Sequence, residues 1–128
     1  MAARLLYAQF AIVICITALH LVSLENDLYW RFIWLDTATH ALGGIWVALA
    51  FFWARALLGY EQKFIWGVFG ALLLGIAWEI FEVWAGVEVA KNYQLDTSID
   101  LLMDVIGGAL GALLALRIIR SAGTREVL

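Results

Sequence analysis

Four long apolar segments constrain this chain more than any other feature of its sequence. They cover residues 5–24, 37–58, 64–87 and 99–119. A transmembrane helix needs about 20 mostly apolar residues, so each segment is long enough to cross a bilayer. A chain in lipid has to satisfy its backbone hydrogen bonds internally, and these segments do not alternate as barrel strands do, so we expect helices. The sequence therefore predicts an all-α polytopic membrane protein with a single transmembrane domain.

The composition excludes several other classes of protein. Hydrophobic residues make up 65% of the chain, far more than a disordered segment contains. A single cysteine, Cys15, cannot form an intrachain disulfide. The net charge of -3 comes without any basic cluster, which argues against a nucleic-acid partner. We expect the lipid bilayer to be the main surroundings of the protein.

The basic residues predict how the chain is oriented. Those expected on one side of the membrane are Arg4, Arg55, Lys63, Arg117, Arg120 and Arg125. Only Arg31 and Lys91 are expected on the other side. Because cytoplasmic loops carry the excess of lysine and arginine, both termini are predicted to be cytoplasmic. The short aromatic segment 26–36 is then expected to lie along the outer interface.

Two stretches of sequence indicate an internal repeat. Residues 36–44 read DTATHALGG and residues 100–108 read DLLMDVIGG, and both fit the pattern D-x-x-x-[H/D]-x-x-G-G. Each stretch follows a span with polar residues near its outer end. Two such hairpins each contain an even number of spans and therefore share one orientation. We predict four transmembrane helices arranged as two parallel two-helix repeats.

Ionisable residues are concentrated in the outer halves of the spans. The six that the motifs single out are Asp36, His40, Glu79, Glu82, Asp100 and Asp104. Spacings of three and four place each pair on one face of its helix, and neighbouring glycines let that face approach another helix closely. We expect these side chains to converge in one pocket beneath the 26–36 segment.

Three explanations for such a cluster remain open at this stage. One or two metal ions could neutralise the carboxylates, the acids could share protons in a hydrogen-bonded network, or the pocket could conduct protons or ions. Carboxylates with an imidazole suit Fe, Mn, Zn or Mg, which makes all six residues candidate metal ligands. Glu79 and Glu82 are also candidate general acids or bases. Asp96 is interpreted as the N-cap of the fourth span, with a role in the site as the alternative.

Three motifs in order resemble a known family. They are D-x-x-x-H at residues 36–40, WEIFEVW at 78–84 and DTSIDLLMDVIGGALG at 96–111. Together they resemble the YjdF-like proteins of the bacterial inner membrane and the wider VanZ-like group. Glu82 stands where the VanZ-like pattern has Gln, and Asp104 where it has Asn, so the chain is more similar to the YjdF-like side. The resemblance implies a location in the bacterial inner (cytoplasmic) membrane and a role in the cell envelope.

Three functions are compatible with these features. The first is an enzyme whose outward-facing carboxylate/histidine pocket, loaded with a divalent metal, acts on a lipid or a lipid-linked envelope precursor. The second is a non-catalytic accessory subunit or structural partner of a larger membrane complex. The third is a proton- or ion-coupled transporter, which with only four spans would work as a homo-oligomer.

Overall fold

The computed structural model describes residues 1–86 and 92–123, and within them the chain forms five helices and no strand. They are α1 (Ala2–Glu25), α2 (Leu28–Arg31), α3 (Trp34–Leu57), α4 (Phe64–Ala85) and α5 (Tyr93–Gly123). By length and composition, α1, α3, α4 and α5 can each cross a membrane. The prediction of an all-α polytopic membrane protein is confirmed.

Three of the four spanning helices, α1, α3 and α5, are longer than the spans predicted for them. Helix α3 begins at Trp34, which puts Asp36 inside its first turn, and α5 begins at Tyr93 rather than at Ile99. Helix α4 ends at Ala85, because Gly86 adopts a left-handed conformation with φ of 65°. The predicted end of this span, Val87, lies outside the described residues, as do Lys91 and Arg125.

The start of α5 corrects the prediction for Asp96. Asp96 is not an N-cap, because it lies within the first turn of the helix. Asn92 precedes the helix instead, and its Oδ1 accepts a hydrogen bond from the backbone N–H of Leu95 at 3.4 Å. Both asparagine and aspartate are good caps, so composition alone did not distinguish the two positions. Within the first turn, the Asp96 carboxylate lies near the positive end of the helix dipole.

Helices α3 and α5 form the centre of the bundle, and glycines bring their backbones together. A Cβ atom on Gly44 would overlap the backbone carbonyl of Asp104, and one on Gly107 would overlap that of Ala41. Small residues permit such close approach between membrane helices. Helix α1 packs against α3, whereas α4 packs against both α3 and α5. The two predicted hairpins are therefore both present as packed pairs, but their surroundings differ.

The two ends of the bundle have different chemistry. A cluster of fully buried apolar side chains fills the end at which α1 begins and α5 ends. Its members are Leu5, Leu49, Phe52, Ala112 and Ala115. The buried acidic side chains and His40 lie at the opposite end. Four spans in sequence place the start of α1 and the end of α5 on the same side of the membrane, so the polar end faces away from both.

Candidate functional site

His40 lies at the centre of the polar end. Its side chain is buried, and its Nδ1 atom is 3.4 Å from Oδ2 of Asp104 on α5. Its Nε2 atom is 4.0 Å from Oε1 of Glu79 on α4. Both carboxylates are also buried. The imidazole of α3 therefore connects the three helices that form the core of the bundle.

Asp36 and Asp100 approach the same imidazole. One ligand atom from each of Asp36, His40 and Asp100 can be chosen so that all three lie within 4.8 Å of one another. His40 and Asp100 are buried, and Asp36 is half-buried in the first turn of α3. Metal–ligand bonds of about 2.0–2.2 Å allow opposed ligand atoms to be about 4 Å apart. A small inward movement of these side chains would therefore let one ion contact all three.

The two oxygens of Glu79 have different surroundings. Oε2 accepts a hydrogen bond of 2.6 Å from the Thr97 hydroxyl, whereas Oε1 is buried and has no hydrogen-bond partner. A buried polar atom without a partner is costly, so Oε1 calls for a proton or a cation. The sequence-based prediction missed Thr97. Its spacing of three from Asp100, which places both on one face of α5, was the available signal.

Glu82 lies at the margin of the site. It is half-buried near the C-terminal end of α4, and its electrostatic neighbours include Glu79, Asp36 and His40. The carboxyl end of a helix carries partial negative charge, so a carboxylate there is unfavourable without a nearby cation. The structure thus brings five of the six predicted residues into direct proximity and leaves Glu82 at the edge.

The rim of the cluster is formed by His20 and Tyr29. The Tyr29 hydroxyl is 2.9 Å from Nδ1 of His20, which links α2 to the end of α1. Burial raises the pKa of Tyr29, so its hydroxyl remains protonated at neutral pH. Asp36 lies close enough to both rings to interact electrostatically. The short helix α2 is therefore held at the edge of the polar cluster.

The carboxylates of the cluster lack conventional counter-ions. Within residues 1–86 and 92–123, no lysine or arginine forms an ion pair with Asp36, Glu79, Asp100 or Asp104. An isolated charge costs about 2.5–3.5 kcal/mol at the centre of a membrane helix on insertion scales and less towards the helix ends, and these four carboxylates are buried or half-buried. His40 can neutralise one carboxylate when it is protonated, and His20 lies close enough to Asp36 to interact with it electrostatically. The remaining acids must hold protons or share a bound cation.

Two clefts in the bundle lie apart from these residues. Two cavities of about 280 and 320 Å³ lie against α1 and α3, and none of the six predicted site residues lines them. Four of the six side chains are buried among neighbouring helices. The polar end is therefore a packed cluster, and the clefts are a separate feature of the molecule.

Comparison with known proteins identifies a family. The family model described as "Predicted membrane protein (DUF2238)" matches residues 3–121, a range that includes every residue of the cluster. No curated protein and no solved structure matches the chain. The family description refers to the membrane and names no activity. The polar cluster is therefore the feature of this chain that bears most directly on function.

Proposed function

The chain belongs to the DUF2238 family of predicted membrane proteins, and we propose that it binds a divalent metal ion through Asp36, His40 and Asp100. The observation that carries this proposal is the convergence of three ligand atoms within 4.8 Å of one another. Burial of two of the three residues, together with the absence of a lysine or arginine partner in the described ranges, supports a cation at this place.

Asp104 and Glu79 have supporting roles in this proposal. A ligating histidine commonly donates its second N–H to a carboxylate, which fixes the tautomer and the orientation of the ring. Asp104 is placed to accept from Nδ1 of His40, leaving Nε2 to bind the ion. Oε1 of Glu79, at 4.0 Å from Nε2, becomes a fourth ligand after a small side-chain movement. A bound ion would then coordinate this oxygen, which has no hydrogen-bond donor.

The ligand set restricts the metal and the chemistry. Carboxylate oxygens with one imidazole nitrogen suit Fe, Mn, Zn or Mg, and they do not suit soft thiophilic ions. When bound, such an ion polarises a phosphoryl or acyl oxygen and activates water. Glu82, which lies outside this ligand set, is the carboxylate available to move the proton of that water, and Glu79 could do so only in a site where it does not bind the ion.

The depth of the cluster favours a lipid headgroup as the substrate class. At 1.5 Å per residue, Asp36 lies about 3 Å from the start of α3 and Glu79 about 9 Å from the end of α4. Because helices of 22–24 residues slightly exceed a hydrocarbon core of about 30 Å, we place these residues between the headgroup boundary and the outer part of the acyl chains. The proposed activity is therefore a metal-dependent reaction on a lipid or lipid-linked precursor at the outer leaflet, in keeping with the envelope role that the YjdF-like and VanZ-like resemblance implies.

The decisive experiment is metal analysis of the purified protein. The detergent-solubilised chain is stripped with a chelator and titrated with Fe²⁺, Mn²⁺, Zn²⁺ and Mg²⁺ while bound metal and thermal stability are measured. We expect about one ion per chain, with a gain in unfolding free energy of about 2.7 kcal/mol at a free ion concentration of 100 Kd. Asp100→Asn and Asp36→Asn should abolish both effects, whereas Glu61→Gln, at an exposed site at the other end of the bundle, should change neither.

A metal-free network is the competing function of the cluster. The position of His40 between Asp104 and Glu79 favours it, because a protonated imidazole would satisfy both carboxylates. A cluster that is held together without metal would fit a structural or accessory subunit. The proposed metal site would be overturned if the purified protein bound none of the four ions and its thermal stability did not change on addition of chelator.

A further inference from the structure

A largely apolar cleft lies beside α1, within the spans. The cavity of about 280 Å³ is lined by Leu6, Gln9, Phe10, Val13, Trp46 and Trp53. The adjoining cavity of about 320 Å³ shares Gln9 and both tryptophans with it and extends to Leu74 on α4. Apart from Gln9 and the indole N–H groups, these walls are apolar.

The side chain of Gln9 lines this cleft and has no hydrogen-bond partner within the described residues. Gln9 is only 8% exposed, and its side chain makes no hydrogen bond within residues 1–86 and 92–123. The amide offers two donors and an acceptor, and an acyl chain can satisfy none of them. An unpaired amide inside a bilayer is unfavourable. The cleft therefore fits an occupant that brings its own hydrogen-bonding group.

Tyr7 carries such a group on the exposed side of the same helix. Its side chain is 73% exposed, although it lies within a spanning helix. It is two residues from Gln9, a difference of about 3 Å along the helix axis. Copies of one chain share a single orientation in a membrane, so Tyr7 of one copy lies at nearly the depth of Gln9 in another.

We propose that a second copy of this chain packs on this cleft, with Tyr7 of each copy inserted beside Gln9 of the other. The arrangement is a two-fold dimer whose axis runs along the membrane normal, so that the contact between Tyr7 and Gln9 forms twice. The phenol and the amide then satisfy each other, as polar side chains do between membrane helices.

The burial of the spans points to the same surface. Only 11% of the α1 span is buried within the single chain, against 28% for α3, 28% for α4 and 39% for α5. The exposed face of α1 presents a stripe with alternating spacings of four and three. Its members are Ala3, Tyr7, Phe10, Ile14, Thr17 and Leu21. This spacing is that of helices that pack nearly parallel to each other, which makes α1 the natural centre of the dimer.

The dimer is tested by energy transfer between labelled copies in lipid vesicles at a series of protein-to-lipid ratios. Each substitution removes two hydrogen bonds from the dimer, so Tyr7→Phe and Gln9→Leu should each raise the dissociation constant roughly 8- to 300-fold, twice the free energy typical of one hydrogen bond between membrane helices. The double variant should be little weaker than either single variant, because both remove the same contact. Tyr60→Phe, the same change at an exposed tyrosine outside the spans, should have no effect.

A disulfide test locates the contact independently of its energy. In a Cys15→Ala background, which removes the single cysteine, chains carrying Tyr7→Cys are mixed with chains carrying Gln9→Cys. Oxidation should link the two kinds of chain, and Leu73→Cys on the exposed face of α4 should not be linked to either. The proposal would be overturned by a protein that is monomeric at every protein-to-lipid ratio. It would also be overturned by a dimer whose dissociation constant neither substitution changes and whose chains are not linked by oxidation. Either result would favour a lipid or a different protein in the cleft.

Discussion

His40 and Asp104 occupy equivalent positions in the two repeated motifs, and their side chains meet, with Nδ1 and Oδ2 3.4 Å apart. The glycines four residues further along each motif also meet, because a Cβ atom on Gly44 would lie 2.9 Å from the backbone nitrogen of Gly108. The duplicated sequence thus builds one shared centre from α3 and α5. Divergence at one position, histidine in one motif and aspartate in the other, makes the pair complementary.

This relationship predicts a graded effect of substitutions on metal binding. Asp104→Asn removes the carboxylate that orients His40 but leaves the three proposed ligands in place. We expect metal affinity to fall about 10- to 100-fold, while the protein still binds one ion per chain at saturation. Titration of the stripped protein, followed by bound metal, measures both quantities.

The matched comparison is Asp100→Asn, which removes a proposed ligand and should abolish binding at the same ion concentrations. Equal loss in the two variants would assign Asp104 to the ligand set. No loss in Asp104→Asn would remove its orienting role.

Thr97 gives a prediction for stability without metal. Its hydroxyl donates the only hydrogen bond that Glu79 receives within the described residues. Thr97→Val removes this donor and leaves Oε2 of Glu79 unpaired, so the free energy of unfolding should fall by about 1–3 kcal/mol, the range for leaving a buried acceptor unsatisfied. Unfolding by an SDS titration in mixed micelles provides the measurement.

Ser98 is the control for that substitution, since it is the next residue along α5. Its hydroxyl bonds to the backbone carbonyl of Gln94 in its own helix and faces away from Glu79. Ser98→Ala should change stability by less than about 0.5 kcal/mol. Similar losses at the two positions would mean that the effect arises from α5 itself rather than from Glu79.

The predictable part of the fold depended on periodicity and hydropathy. Four apolar segments and the spacing of residues 36–44 and 100–108 were enough to predict the spans and the face on which His40 and Asp104 lie. Helix faces are set by local geometry, which the order of residues determines directly. The convergence of these two residues follows because both faces also carry the glycines.

The rest depended on tertiary contacts that local patterns do not specify. The asymmetric placement of α4 against both α3 and α5 gives Glu79 a partner in Thr97, and nothing in the spacing of α4 indicates that partner. The start of α5 was placed too late because a polar run of sequence can be either a loop or an exposed helical turn. Asn92 and Asp96 are both good caps, and only the path of the chain decides between them.

The orientation of the chain remains a prediction from its basic residues. Arg55 and Lys63 flank the connection between α3 and α4, which should therefore be cytoplasmic. In a Cys15→Ala background, a cysteine introduced as Glu61→Cys should be protected in intact cells from a membrane-impermeant thiol reagent. Glu25→Cys, at the opposite end of the bundle, should react. The reverse labelling pattern would place the polar cluster on the cytoplasmic side.

Adjacent glycines on α3 test whether the close approach of the central helices holds the site together. Gly44 faces α5, where a Cβ atom would overlap the backbone of Asp104, whereas Gly43 has no atom within 4 Å of the same position. Gly44→Ala should separate the helices, lower the free energy of unfolding by about 1–3 kcal/mol and weaken metal binding. Gly43→Ala should leave binding unchanged and stabilise the helix by up to about 1 kcal/mol, because alanine favours the helix more than glycine does. If the two alanine variants behaved alike in SDS unfolding and metal titration, the contact between α3 and α5 at Gly44 would not be what brings His40 and Asp104 together.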